Sequence, residues 1–349
     1  MRVVDAQHIV KTYRVADKAP GFGGTMRHLF RRKHRDVEAV RGVSIAIEPG
    51  EVVGFLGSNG AGKTTMLKML AGLMQPTDGV VRVLGHDPFR REAAFLRRIA
   101  LVMGNKQQLI WDLPPAETFR INAAVYNIPD DVAQARVDRL AALLEIEDEL
   151  HRPVRKLSLG QRMKSELIAA LLHEPTVLFL DEPTLGLDVN AQAAVRSFLR
   201  TYNAERGAAI LLTSHYMADI TALCDRVVLI DKGSILHDGA LATLVDRFAP
   251  LREVALKLTE PVAPERFAAF GEVESCDGLA VKLLVPREGL AERLPRLLAE
   301  LPVLDLTVHD PPVEEVVGRV FAEASQSTAG AASAVDPDAP EPLEAGAVS

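Results

Sequence analysis

Cysteine is nearly absent. The chain has two in 349 residues, Cys224 and Cys276, far apart and without metal-ligand spacing. That excludes a disulfide framework, and a reducing, cytoplasmic setting is the simpler expectation. Long apolar runs are missing as well. Although 48% of the residues are hydrophobic, no stretch reaches the roughly 18 uninterrupted apolar residues that a spanning helix needs. The N-terminal run meets Asp5 and Gln7 too early to form a signal-peptide core. A soluble subunit is expected, with any membrane role supplied by a partner. Excess positive charge is lacking too, since the net charge is −7. No global basic field therefore points to nucleic acid or to an anionic membrane. Neither an internal repeat nor a heptad run is present.

What is there is a strand–helix alternation. Residues 2–12 and 37–48 carry the loose apolar alternation of strands, and Val52–Leu56 after the Pro49-Gly50 turn reads as a buried strand. Further buried strands are Val177–Leu180, Ile210–Thr213 and Val227–Ile230, separated by helical stretches at 160–173 and 190–206. Ala133, Val137, Leu140 and Leu144 recur at the spacing of a helix face. The pattern predicts an α/β fold with a mostly parallel sheet covered on both faces. A turn at Lys232-Gly233 and a short helix to about Phe248 close this unit. Residues 249–324 alternate short strands with helices at 264–270, 288–300 and 313–322, predicting a small α+β accessory domain. From 325 to 349 the chain is rich in Ala, Gly, Ser, Pro and acid without periodic apolar positions, and disorder is expected. Between the first two strands an insert at 18–36 turns basic, with five Arg and Lys residues from Arg27 to Arg35. It reads as a solvated face or as a contact for lipid headgroups or for a loop of a membrane partner.

Gly57-Ser58-Asn59-Gly60-Ala61-Gly62-Lys63-Thr64 fits G-x-x-x-x-G-K-S/T and falls between a predicted strand and a helix. Glycines let the backbone curl so that successive N–H groups point at phosphate oxygens, and the helix adds its positive end. Lys63 reaches the β- and γ-phosphates, and Thr64 offers a hydroxyl to Mg²⁺. The strand Val177–Leu180 delivers Asp181 and Glu182 at its carboxyl end, where ligands sit in open α/β sheets. Asp181 is placed to hold Mg²⁺, and Glu182 to polarise an attacking water as general base.

A third element, Leu157-Ser158-Leu159-Gly160-Gln161, precedes the Asp-Glu strand. With it the chain resembles an ABC-type ATPase, whose pattern here is Leu-Ser-Gly-Gly-Gln; Leu159 replaces the first glycine. The resemblance covers residues 1–248. It implies an ABC-type phosphate-loop NTPase fold: a mostly parallel core sheet, an antiparallel β subdomain and a helical subdomain at about 106–165. It further implies that Ser158, Gly160 and Gln161 cap the nucleotide held by the opposite subunit, with Ser158 as an N-cap in the plainer reading. Leu185-Gly186-Leu187-Asp188 resembles the segment that crosses to that subunit, and Asp188 joins the nucleotide contacts. His215 resembles the switch histidine that meets the γ-phosphate, and Tyr13 the aromatic that stacks on adenine. Thr65 completes the phosphate-loop set.

One departure stands out. The family's sensing glutamine, which contacts Mg²⁺ and water, aligns with Asn105, with Gln107 and Gln108 in reserve. Trp111-Asp112-Leu113-Pro114 falls where the family docks its permease, although Trp111 could equally be core packing. The resemblance runs in particular to ATPases of type-2, drug-resistance-like exporters, on Asn105–Pro114, Leu185–Asp188 and Pro311–Glu315. Implied are ATP and Mg²⁺ as cofactors and a second copy of the chain in a nucleotide-sandwich dimer. Integral membrane permease subunits are implied as partners, with location at the inner face of the cell membrane and no nucleic acid bound. A soluble ATPase acting on ribosomes or DNA, and an importer subunit, are the alternatives.

Overall fold

The computed structural model describes residues 2–16, 34–104, 106–248 and 251–333, with side chains to 323. The chain divides between Ala242 and Thr243 into two units. In the first unit the elements run β1 (Val4–Ala16), β2 (His34–Ile47), β3 (Val52–Gly57), α1 (Lys63–Leu70), β4 (Asp78–Val83), a one-turn helix α2 (Ala93–Leu96) and β5 (Ile99–Met103). There follow α3 (Pro115–Tyr126), α4 (Asp130–Leu144), α5 (Leu159–Leu171), β6 (Val177–Asp181), α6 (Val189–Arg206), β7 (Ala209–Thr213), α7 (Met217–Leu223), β8 (Arg226–Asp231) and β9 (Ser234–Ala240).

The core is a six-stranded sheet of order β5-β6-β7-β3-β8-β9, parallel except for β9. Its central strands are apolar end to end. Every residue of β6 and β7 is buried, as a strand covered on both faces requires. The register aligns Asp181 with both Met103 and Thr213, and Phe55 with Thr213, so the carboxyl ends of four strands converge at one edge. A three-stranded antiparallel sheet, β2-β1-β4, is the expected β subdomain. Helices α3, α4 and α5 are the helical layer. The expected face of α4 is the observed one, with Ala133, Val137, Leu140 and Leu144 all buried. Among the described residues no helix is long and apolar enough to cross a membrane.

The second unit holds β10 (Leu251–Leu258), β11 (Glu272–Asp277), β12 (Ala280–Pro286), α9 (Leu290–Glu300), β13 (Val303–His309) and α10 (Val313–Ser333), following α8 (Leu241–Phe248) at the junction. Its antiparallel sheet has the order β11-β12-β10-β13, over a core that includes Val254, Leu256, Phe267, Leu283 and Leu297. Within the second unit Arg287 pairs with Asp246 of α8 at 2.7 Å. The last helix runs on to Ser333, through the start of the stretch expected to be disordered, because alanine there favours helix even without apolar periodicity. Residues 334–349 and 17–33, which include most of the basic insert, lie outside the described residues.

Candidate nucleotide-binding site

The loop after β3 turns on glycines that nothing larger replaces. Gly62 has φ 109°, and a Cβ there would meet the Ala39 carbonyl at 2.5 Å. At Gly57 a Cβ would lie 2.2 Å from the Ile230 carbonyl. Gly60 is also left-handed, at φ 81°. The loop is closed by Ala61 N–H donating to Ser58 O at 3.1 Å and Gly233 N–H donating to Ala61 O at 3.0 Å. Gly62 is the N-cap of α1 and supplies no side-chain cap, so the first N–H groups of an eight-residue helix meet no capping side chain. Such an end favours an anion.

Lys63 is buried, 6% exposed, yet its ammonium donates to Gly57 O at 2.6 Å and Ser58 O at 3.1 Å. Burial pulls its pKa below the ordinary lysine value, and the carboxylates of Glu182 and Asp181 oppose that shift. A phosphate brought to the loop would favour the charged form in the same way. Ser58 donates to Asp231 at 3.1 Å. Asn59, like Gly60, is exposed at the loop's tip.

Thr64 donates to both oxygens of Asp181, at 3.1 and 2.9 Å, and Thr213 donates to Asp181 Oδ1 at 2.8 Å. One carboxylate and a hydroxyl form a hard oxygen set that fits Mg²⁺, which takes one or two carboxylates and completes its octahedron with phosphate and water. Among the described residues no group of three or more His, Cys, Asp or Glu could hold a metal ion. Asn105, the third expected metal contact, lies outside the described residues.

Glu182 sits one residue beyond, with φ 55°, a conformation costing a non-glycine residue roughly 1–2 kcal/mol. Three contacts hold it there. Its N–H donates to Thr213 Oγ1 at 3.0 Å and to Thr213 O at 3.1 Å. Its carbonyl approaches Gly104, where a Cβ would come within 2.3 Å. The result sets Glu182 Oε1 2.8 Å from His215 Nε2, both side chains partly exposed. Behind them Asp219, fully buried, accepts from Ser214 at 2.6 Å, from Arg196 at 2.9 Å and from Thr184. It thereby ties the residue before His215 to the turn after Glu182.

Tyr13 lies beside this site on β1. Its hydroxyl is 3.5 Å from Thr65 Oγ1 and donates to Met74 Sδ at 3.0 Å. The Ser158 N-cap is present as a full capping box: Gln161 N–H donates to Ser158 Oγ at 3.2 Å and Ser158 N–H to Gln161 Oε1 at 2.9 Å. Gln161 also donates to Glu149 at 2.8 Å, so its side chain is engaged within its own subunit. Gly160 has a packing reason of its own, because a Cβ would lie 2.9 Å from Ala191 Cβ on α6. Leu159 is exposed and leans on Gly186, and Asp188 N-caps α6 through Ala191 N–H at 2.8 Å. Trp111 is 46% exposed, which removes the core-packing alternative.

Sequence reasoning missed Thr213 as a site residue, although a polar side chain ending an apolar buried strand was a visible signal. It also missed Gly104 and Asp219, whose roles arise from chain segments distant in sequence.

A curled glycine loop before a helix, joined through Thr64 to an Asp-Glu pair at the end of β6, defines a phosphate-loop nucleotide-binding protein. A family model described as ABC transporter matches residues 40–185, and one described as EvrA-like ABC transporter, C-terminal domain, matches residues 250–309. The ABC transporter ATP-binding protein NatA of Bacillus subtilis (strain 168) is 38% identical over 62% of this chain and 88% of its own. The Nod factor export ATP-binding protein I of Burkholderia thailandensis is 34% identical over 70% of this chain and 83% of its own. A solved structure of an ATP binding subunit of an ABC transporter has a TM-score of 0.58 at 25% identity, over 70% of this chain and 93% of that one. The chain belongs to the ABC transporter ATP-binding proteins.

Proposed function

We propose that the protein hydrolyses ATP as one of two copies that close face to face on two nucleotides, and so drives export through separate membrane permeases. The observation that carries this reading is the strained Glu182, 2.8 Å from His215 and one residue past the Thr64–Asp181 pair. A carboxylate so held is a general base for water, with His215 steadying it. Lys63 and the N-terminus of α1 take the phosphates, Thr64 and Asp181 would hold Mg²⁺ with Asn105 as the proposed third contact, and Tyr13 stacks on adenine. The bound metal supplies charge neutralisation on the phosphate oxygens. Ser158, Gly160 and Gln161 of the opposite copy cap the γ-phosphate, Asp188 lines the crossing, and neither copy hydrolyses efficiently alone. The domain reading follows: an ATPase domain at 1–248, an accessory domain at 249–324 and a tail at 325–349.

Hydrolysis per subunit should therefore rise with protein concentration, and apparent ATP affinity with it, because nucleotide held between two copies favours the closed pair; a rate per subunit that is flat across a monomeric range would count against the closed pair. Export is favoured over import by the Nod factor export relative and by the drug-resistance-like wording of Asn105–Pro114. The exposed apolar side chains of Ile110, Trp111 and Leu113 are the face offered to the permease, at the cytoplasmic side of the membrane. Cell fractionation reads this part. The protein should be recovered with membranes and released when the genes of its permease are deleted, whereas recovery with ribosomes would support the soluble alternative.

A further inference from the structure

The helix that begins at Ser158 and the loop that follows β5 are joined by groups the nucleotide site does not use. Glu166 on α5 is 5% exposed, and its Oε1 accepts the backbone N–H groups of Gln108 at 2.8 Å and Leu109 at 3.1 Å. Its Oε2 meets no donor among the described residues. One turn earlier on the same helix, the guanidinium of Arg162 lies 5.2 Å from the centre of the Trp111 ring. Residues four apart share a helix face, so α5 grips the loop at two successive levels. The segment leading into α5 adds two more ties: Arg155 N–H donates to Trp111 O and Val154 N–H to Leu113 O, both at 3.0 Å. Toward the core the loop is held by Gly104 N–H on Asp181 O at 2.8 Å and by the Gln108 side chain on Leu101 O at 2.8 Å.

A buried carboxylate is a poor way to fill space, since an apolar side chain of the same size avoids the desolvation. Burial pushes the Glu166 carboxyl up, and the N–H groups of Leu109 and Gln108 draw it back. What the carboxylate does that an apolar group does not is hold two consecutive loop amides to the helix.

We infer that Glu166 is a positioning residue that makes the segment Gln108–Trp111 move with α5, so that a displacement of the Ser158 end is delivered to the exposed Trp111. The proposed function gives that displacement its cause, nucleotide-driven closure, and the inference rests on that reading.

Trp111 is the single tryptophan of the chain, so its emission reports on this loop alone. ATP binding is measured by equilibrium dialysis of the full chain, and emission is recorded with and without MgATP. Wild type should show a nucleotide-dependent change. Glu166→Gln should keep it, because the amide oxygen still accepts both N–H groups. Glu166→Met, which fills the same volume without an acceptor, should reduce the change by about half or more, the Arg162 and Arg155 ties remaining, while binding ATP within about twofold of wild type. A full emission change in Glu166→Met, or ATP binding by wild type without any change, would overturn the inference. Absence of ATP binding by the wild type would instead sink the proposed function. If Glu166→Met fails to fold, Glu166→Ala serves in its place. Collapse of both would assign Glu166 to folding alone and overturn the inference as well.

Discussion

Glu182→Gln should lower ATP turnover by about 10²–10⁴-fold, the range expected when a general base is removed, and leave the protein as a dimer closed on unhydrolysed ATP. The amide is isosteric and its oxygen can still meet His215 Nε2, now 2.8 Å from Glu182 Oε1. The Thr213 bonds to the Glu182 backbone are untouched by the change. Binding is therefore preserved and only proton acceptance is lost. Removing one negative charge near the γ-phosphate also favours retention of ATP. Single-turnover hydrolysis and size-exclusion chromatography with ATP measure the two halves. Wild-type turnover in this variant would show that another group takes the proton.

Lys63→Ala should act at the opposite end of the cycle, by abolishing useful ATP binding. The ammonium is buried at 6% exposure, held on Gly57 O and Ser58 O, and points of contact for phosphate depend on it. Hydrogen bonds to charged groups contribute about 1.5–3 kcal/mol each, so the loss of one or two weakens ATP by roughly 10- to 10⁴-fold. The fold should survive, because Gly57, Gly60 and Gly62 set the loop path through backbone geometry and not through the lysine. Isothermal titration with ATP, alongside a thermal melt, separates the two effects. Unchanged affinity would remove Lys63 from the phosphate site.

The phosphate loop and the Asp181–Glu182 pair were legible in the sequence because their chemistry is local: glycines, a lysine and a hydroxyl must follow one another closely to wrap a phosphate. The central strands were legible for a related reason, since burial on both faces leaves an unbroken apolar run. β11 was not, because five of its six residues are exposed and carry no apolar alternation. β4 was hidden by Asp78-Gly79, where Gly79 admits the close approach of the His8 carbonyl. At the site, Gly104 and Thr213 escaped notice because each acts on Glu182 from another strand. Glu166 carries no sequence signal for its role, because its partners, Gln108 and Leu109, are brought beside it by tertiary packing. Ser158 shows the limit of a motif: as an N-cap it is fully explained inside its own subunit, so its second role depends on a partner copy.

That second role is the central claim, and mixing two crippled subunits tests it most directly. Lys63→Ala breaks the phosphate loop but leaves Ser158; Ser158→Glu repels the opposite nucleotide but leaves Lys63. Each variant alone should be inactive. In a mixed dimer one of the two composite sites is whole, so an equal mixture should recover up to about a quarter of wild-type ATPase activity under two-fold pairing. A mixture as inactive as its parents would contradict a site shared between two copies.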